Sequence, residues 1–252
     1  MSAIDAMPIA HEPLVSILIP ALDEADSLGE IIAAVRAGDV PCEILVVDAG
    51  SADDTVKIAT AAGARLIHSV RPQRAFQLNL GAQQARAGVL LFLHADTILP
   101  PRALQFIVGA LEDRTVVGGA FARRYASRSL LLRATCLLAQ CRNHLFGWHL
   151  GDQAMFVRRS NFFELGGFRE VDQFEDLDFS RRLRTVGRTI TLPTHVTSSS
   201  RRFDRHGALG TTLHDVFLTL RYLLRGLPEP RAAGIAPKSD EGFERRPQLR
   251  RL

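Results

Sequence analysis

The chain has 252 residues, 46% of them hydrophobic and 23% charged, and 31 Lys and Arg against 27 Asp and Glu leave a formal net charge of +4. That length and apolar content suit one domain with a sizeable core and exclude wholesale disorder. The positive surplus is too mild to indicate a nucleic-acid binder and suits anionic small molecules or an anionic surface. 

Residues 1–13 carry acids and prolines rather than a basic start and an apolar run, so a flexible leader is expected and no signal peptide. Val15-Ser16-Ile17-Leu18-Ile19, ended by Pro20, reads as a buried parallel strand. Ser27-Leu28-Gly29-Glu30 has the form of a capping box, followed by an apolar helical stripe through Ile31, Ile32 and Val35. Glu43 to Val47 is a second strand with Asp48 at its carboxyl end. Ser51-Ala52-Asp53-Asp54 is expected to open a second helix, closed by Gly63. A third strand is expected over Arg65 to Ser69 and a helix over Ala75 to Ala87. Val89-Leu90-Leu91-Phe92-Leu93 is the strongest strand signal, with His94-Ala95-Asp96 directly at its end and Pro101 suited to the first position of the next helix.

Such alternation predicts an α/β fold, a twisted and mostly parallel sheet with helices on both faces. Further on, Val116 to Ala122 and Ala154 to Val157 read as strands. Leu130 to Phe146 is an apolar segment studded with Arg, Glu175 to Thr185 a helix, and Ala208 to Leu224 an amphipathic helix. A single domain over 14–225 and a disordered basic tail over 226–252 complete the expectation. No apolar stretch reaches the ~20 residues that span a bilayer. Cys42, Cys136 and Cys141 make neither a disulfide framework nor a zinc pattern and suit a reducing cytoplasm.

Ligands of open α/β sheets bind outside the carboxyl ends of the strands, where Asp48 and Asp96 fall. Two acids converging on one crevice repel unless a cation is bound, and Asp96 is the better metal candidate. A helix cap or a turn is the alternative for either alone. Phe174-Glu175-Asp176-Leu177-Asp178 opens a helix after the turn Gly166-Gly167-Phe168. Its acids suit the helix dipole, and one of them can face a pocket as a general base.

Together these stretches resemble the inverting family-2 glycosyltransferases of the GT-A fold. The matches are Val15 to Glu24, Val46 to Ser51, Leu91 to Asp96, Gly151-Asp152-Gln153 to Arg159, Gly166 to Phe168 and Glu175 to Asp178, six motifs in the family's order. The resemblance implies a Rossmann-like nucleotide-sugar half over 14–112 and an acceptor half over 113–225. It implies that Pro20, Ala21, Leu22 and Glu24 lie against the nucleoside, that Asp48 holds the base, typically uracil, and that Gly50 and Ser51 shape that wall. Arg74 and Asn79 would approach the diphosphate or sugar. Asp96 matches the last acid of the Asp-x-Asp metal motif, so a divalent Mn2+ or Mg2+ is implied, and Asp176 beside Glu175 matches the catalytic base. Where the family has the first acid of that motif this chain has His94, flanked by Ala95.

Arg201, Arg202 and His206 belong to a late basic stretch. The resemblance makes the arginines diphosphate ligands and His206 a completing metal ligand, with a surface basic patch as the alternative. The His-Ala-Asp variant, the Gly-Asp-Gln segment and the late Ser-Arg-Arg stretch are similar to a bacterial subgroup associated with arsenosugar biosynthesis. Partners implied are a nucleotide-sugar donor, a small-molecule or lipid-linked acceptor and no nucleic acid. The apolar, Arg-bearing segment from Leu130 to Trp148 is either an interfacial helix making peripheral membrane contact or a core or dimer helix. Rival readings are a nucleotidyltransferase, a nicotinamide dehydrogenase and a catalytically degenerate scaffold. The first lacks its Gly-rich loop, the second its Gly-x-Gly-x-x-Gly, and a scaffold needs neither Asp96 nor Asp176.

Overall fold

Four of the expected apolar runs become parallel neighbours in a computed structural model that describes residues 12–127 and 129–227, save the side chains of Arg202, Arg205 and His206. They are β1 (Val15–Ala21), β2 (Cys42–Asp48), β3 (Arg65–His68) and β4 (Val89–Phe92), arranged β3-β2-β1-β4. The helices α1 (Ala25–Arg36), α2 (Thr55–Ala61) and α3 (Arg74–Gln84) connect them. β1 shows why both faces must be covered. Ile17 and Ile19 enter one core with Leu28, Ile32 and Leu91, whereas Leu18 between them enters another with Leu78, Leu90 and Phe92.

The chain then extends the same sheet. β5 (Thr97–Ile98), α4 (Ala103–Ala110), β6 (Val116–Tyr125) and α5 (Leu130–Phe146) precede a single 3-10 turn at Gly151–Gln153. β7 (Met155–Arg158), α6 (Arg159–Glu164), α7 (Glu175–Val186), β8 (Arg188–Ser198), α8 (Arg201–His206) and α9 (Ala208–Arg225) follow. The eight strands run β3-β2-β1-β4-β7-β6-β8-β5. β7 is antiparallel to both β4 and β6, and β6 is parallel to β8, so the sheet is mixed around a parallel half. Phe92, Phe162, Phe168 and Phe179 interlock with centroids 4.8 to 5.3 Å apart, clamping α6 and α7 onto β4.

Several local expectations are corrected. Ser27 is not a cap: α1 begins at Ala25 behind Glu24, and the Ser27 hydroxyl donates to the Ala95 carbonyl at 2.7 Å. Asp53 and Asp54 lie ahead of α2, whose first residue Thr55 donates its amide to the Asp53 carboxylate. Pro101 occupies a turn, and left-handed Arg102 precedes α4. β8 was not expected, because Pro193 interrupts its pattern. In the sheet Pro193 and Thr194 form a bulge, the register stepping from Leu192 opposite Phe121 to His195 opposite Ala122. The leader up to residue 11 and the tail from residue 228 lie outside the described residues. Among those described, no helix is long and apolar enough to cross a membrane.

Candidate active site

The loops that follow β1 and β2 are fastened to each other. Asp48, 2% exposed, accepts from the Gly50 amide at 3.0 Å, the Ser51 amide at 3.2 Å and the Ser51 hydroxyl at 2.5 Å. Gly50 takes φ +94° in this turn, a conformation that a side chain would oppose. The Ser51 hydroxyl in turn accepts from the Asp23 amide at 2.9 Å, and Asp23 accepts from the Ala52 amide at 2.7 Å. Thr55 accepts from the Glu24 amide at 2.8 Å. Pro20, Ala21, Leu22, Glu24, Asp48, Gly50 and Ser51 therefore share one wall at the carboxyl ends of β1 and β2. The buried Gln77 amide supports it, donating to the carbonyls of Ala21 at 3.1 Å and Val47 at 2.7 Å. Nothing in the sequence pattern around Gln77 singled it out.

β4 delivers His94, Ala95 and Asp96 into a tight turn in which the Thr97 amide donates to the His94 carbonyl at 3.1 Å. Three elements hold that turn. Ser27 binds the Ala95 carbonyl, the Ser199 amide donates to the Asp96 carbonyl at 3.1 Å, and Thr97 donates to the Asp96 carboxylate at 3.3 Å. Removal from water, reinforced by the Arg74 charge and opposed by Asp152, pushes the His94 imidazole down to about 3. His94 is thus neutral at physiological pH, with a nitrogen lone pair available.

α7 brings up the acid pair. Its first turn follows Phe174, which is left-handed at φ 67° and stacks on Tyr222 with centroids 5.1 Å apart. Asp176 accepts from the Gly151 amide at 2.5 Å through Oδ2 and from the Leu177 amide at 2.6 Å through Oδ1. Glu175 lies 3.5 Å from the Arg74 guanidinium. Burial and the neighbouring Asp176 charge push Glu175 up to about 7, with Arg74 opposing. Burial also raises Asp176, against the Gly151 amide and Arg74.

The turn at Gly151–Gln153 joins these groups. A side-chain carbon on Gly151 would lie 2.7 Å from His94 Nε2 and 3.1 Å from Asp176 Oδ2, so glycine is what lets the two approach. Asp152 forms an ion pair with Arg123 of β6. Burial disfavours its charge, yet Arg123 and His94 hold its carboxyl below the usual range. Asp152 Oδ1 is buried without a hydrogen-bond partner among the described residues. The Gly-Asp-Gln segment was visible in the sequence as a motif, but its contacts were not, since His94 and Asp176 lie far from it along the chain.

The remaining expected residues divide. Arg201 reaches back 177 positions to Glu24 at 3.1 Å, which ties the start of α8 to the loop after β1. Asn79 uses its amide on a different task, donating to the Phe168 carbonyl at 2.8 Å and accepting from the Phe168 amide at 2.9 Å, which braces the Gly166–Phe168 turn. The side chains of Arg202 and His206 are outside the described residues. No group of three His, Cys, Asp or Glu among the described residues forms a metal cluster. The Asp96 carboxylate suits a hard divalent ion only if a bound diphosphate supplies further oxygens.

Comparison with known proteins accounts for this arrangement. Residues 16–169 match the family described as Glycosyl transferase family 2. Over 242 residues the chain is 30% identical to a PGL/p-HBAD biosynthesis glycosyltransferase of Mycobacterium bovis, covering 88% of this chain and 87% of that protein. Of other curated relatives the chain spans less than two thirds, 33%, 62% and 44% of the length of three of them. Among solved structures, a mannosyltransferase of Pyrobaculum calidifontis in complex with GDP-Man and Mn2+ superposes with a TM-score of 0.63 at 22% identity, covering 77% of this chain and 59% of that one. Glucosyl-3-phosphoglycerate synthase of Mycobacterium tuberculosis, in complex with Mn2+, UDP and glucosyl-3-phosphoglycerate, gives 0.60 at 22% identity, covering 87% and 82%. These likenesses establish the GT-A fold, and the match over more than half of the residues establishes the lineage: the chain belongs to glycosyl transferase family 2.

Proposed function

We propose that the chain transfers a glycosyl group from a nucleotide-diphosphate sugar, a UDP-sugar in the first instance, to an acceptor hydroxyl with inversion at the anomeric carbon. The observation that carries this reading is Asp176, a buried carboxylate oriented by the Gly151 amide beside His94 at the end of β4. Each Asp176 oxygen accepts one backbone amide and keeps a lone pair. Asp176 takes the proton of the acceptor hydroxyl while the acceptor oxygen bonds to the anomeric carbon. The bond from that carbon to the diphosphate oxygen breaks on the opposite face, and its electron pair leaves with the diphosphate. Burial that raises Asp176 strengthens it as a base.

Pro20, Ala21, Leu22, Glu24, Asp48, Gly50 and Ser51 form the nucleoside wall in this reading, with Arg74, Arg201 and Arg202 toward the diphosphate. Asp96 would hold Mn2+ or Mg2+ together with the diphosphate, and His206 would join it. Such a metal, when bound, neutralises charge developing on the leaving diphosphate. The solved relatives bind Mn2+ with GDP-Man or with UDP, which supports the metal and leaves the base to measurement. Residues 14–112 serve the donor and 113–225 the acceptor. Within the family the His94-Ala95-Asp96 variant supports the reading that the chain belongs with the arsenosugar-associated subgroup. The exposed Leu137, Leu138, Leu213, Phe217 and Leu220 of α5 and α9 suit peripheral contact with a membrane carrying a lipid-linked acceptor.

The test is a thermal-shift panel of UDP, GDP, dTDP and ADP, each with and without Mn2+ or Mg2+, on the native chain and on Asp96→Asn. Stabilisation by one diphosphate, requiring metal and lost in the variant, is the expected result and identifies the base. Stabilisation that ignores metal overturns the Asp96 assignment, and no stabilisation by any nucleotide overturns the transferase reading.

A further inference from the structure

A second concavity lies apart from the donor wall, between α5 and the carboxyl ends of β6 and β8. It has a volume of about 620 Å³ and no acidic residue among its lining side chains. Three guanidinium groups, those of Arg123, Arg124 and Arg133, line it. Arg123 is only 7% exposed and lies over the Tyr125 ring at 4.6 Å. One of its amino groups is held by Asp152, but its Nε has no partner among the described residues. Arg124 donates to the neutral Thr197 hydroxyl at 2.9 Å, which balances no charge. Exposed Arg133 has no carboxylate partner among the described residues. Three cations against one carboxylate leave an uncompensated positive surplus in a concave site, and a buried guanidinium nitrogen without a partner has lost its water for nothing in return.

The positive surplus of the cleft calls for an anion, and its chemistry can be narrowed. Planar guanidinium groups match the tetrahedral oxygens of phosphate, two N–H groups to two oxygens. Leu132 and Leu137 of α5 add an apolar lining that accepts a hydrocarbon part of the same ligand. Asp152, the counter-ion of Arg123, directly follows Gly151, whose amide holds Asp176. The cleft is therefore one ion pair away from the proposed base.

We infer that this cleft seats a phosphate monoester group of the acceptor, so that Arg123, Arg124 and Arg133 select an acceptor carrying phosphate beside an apolar portion. Calling the ligand the acceptor rests on the transferase reading; the cleft as a phosphate site does not. The same group could be carried by a soluble phosphomonoester or by a lipid headgroup, and the two are separated by experiment.

Native protein, saturated with UDP and Mn2+ to occupy the donor site, is titrated calorimetrically with glycerol 3-phosphate, using potassium chloride of equal ionic strength as the control. In parallel it is sedimented with phosphatidylcholine vesicles with and without phosphatidic acid. Both measurements are repeated on Arg124→Gln/Arg133→Gln and on Asp176→Asn, all with melting temperatures checked. The expected result is binding of the phosphomonoester in at least one arm, weakened about tenfold or more in the double arginine variant and unchanged in Asp176→Asn. A response confined to glycerol 3-phosphate assigns a soluble acceptor, and one confined to phosphatidic acid assigns a lipid one. Absence of binding in both arms, or binding that the double variant leaves intact, overturns the site. Cleft binding that persists while no nucleotide, with or without metal, raises the melting temperature refutes the transferase reading and leaves the site standing.

Discussion

The Gly151 amide donates to Asp176 Oδ2 at 2.5 Å, across 25 residues of chain. With the Leu177 amide on the other oxygen this group orients the carboxylate, and the missing side chain of Gly151 admits the His94 ring. Gly151→Ala should retain the fold, since its backbone does not require positive φ. The added methyl must displace His94 or Asp176 from contact distances of 2.7 and 3.1 Å. A misplacement of about 1 Å in a reacting group costs on the order of 10²-fold in rate. The prediction is a fall in kcat of that size with a melting temperature within a few degrees of native. Unaltered turnover would remove Gly151 from the machinery.

Ionisation of the acid pair sets the pH dependence. A base works only when deprotonated, and burial raises both Glu175 and Asp176, so turnover at saturating donor should fall on acidification through a limb above the ordinary carboxylate range. Arg74 opposes the rise in both groups. Arg74→Gln should move the acid limb of kcat to still higher pH and lower the rate at pH 7. A kcat profile whose limb stays in place, with only KM changed, would confine Arg74 to donor binding.

β6 carries Gly118 and Gly119 where β7 and β8 come nearest. A side-chain carbon at Gly119 would lie 2.1 Å from the Ile190 carbonyl oxygen, a backbone atom that no rotamer change can move. Gly119→Ala is expected to destabilise by ~3 kcal/mol or more, at the upper end for overpacking, by forcing β6 and β8 apart. Denaturant unfolding of the variant checks this; a loss below 1 kcal/mol would mean that the strands separate easily.

His149 offers a separate acid response. It is 2% exposed, it faces the Thr191 hydroxyl at 2.9 Å, and burial, with Arg142 and Arg184 adding, pushes it down to about 3. Between that value and the unfolded value near 6.5 the unfolded chain binds the extra proton, so this group's contribution to stability is lost as pH falls. Glu175 acts in the opposite sense, because its raised value makes the folded chain bind more protons in part of that range. The contrast with His149→Gln isolates the histidine. The variant should be less stable than native at pH 7 and should recover relative to it by about 2 kcal/mol at pH 5, at ~1.4 kcal/mol per pH unit. Parallel stability curves for the two proteins would show that His149 does not resist protonation.

Much of the parallel half of the sheet was legible because β1, β2 and β4 are buried on both faces and read as unbroken apolar runs. Asp48 and His94-Ala95-Asp96 fall where those runs must end. The start of α7 was legible from its acids for a similar reason. The capping box at Ser27 misled, since Ser, Leu, Gly, Glu is a local pattern and the hydroxyl has a tertiary partner in Ala95 instead. β8 stayed hidden because a bulge absorbs Pro193, and Asn79 was expected at the diphosphate whereas Phe168 engages its amide.

By itself, then, the order of apolar runs, turns and acids determined the fold class, the family resemblance and the residues with chemical potential, because burial periodicity and strand-end placement are written along the chain. Which groups meet was decided only in three dimensions. The Gly151–Asp176 bond, the Arg123–Asp152 pair and the Arg201–Glu24 contact join positions 25, 29 and 177 residues apart. Side chains carry no mark of a partner that distant, and the sheet order β4-β7-β6-β8, which no local pattern specifies, is what brings several of these segments to one edge.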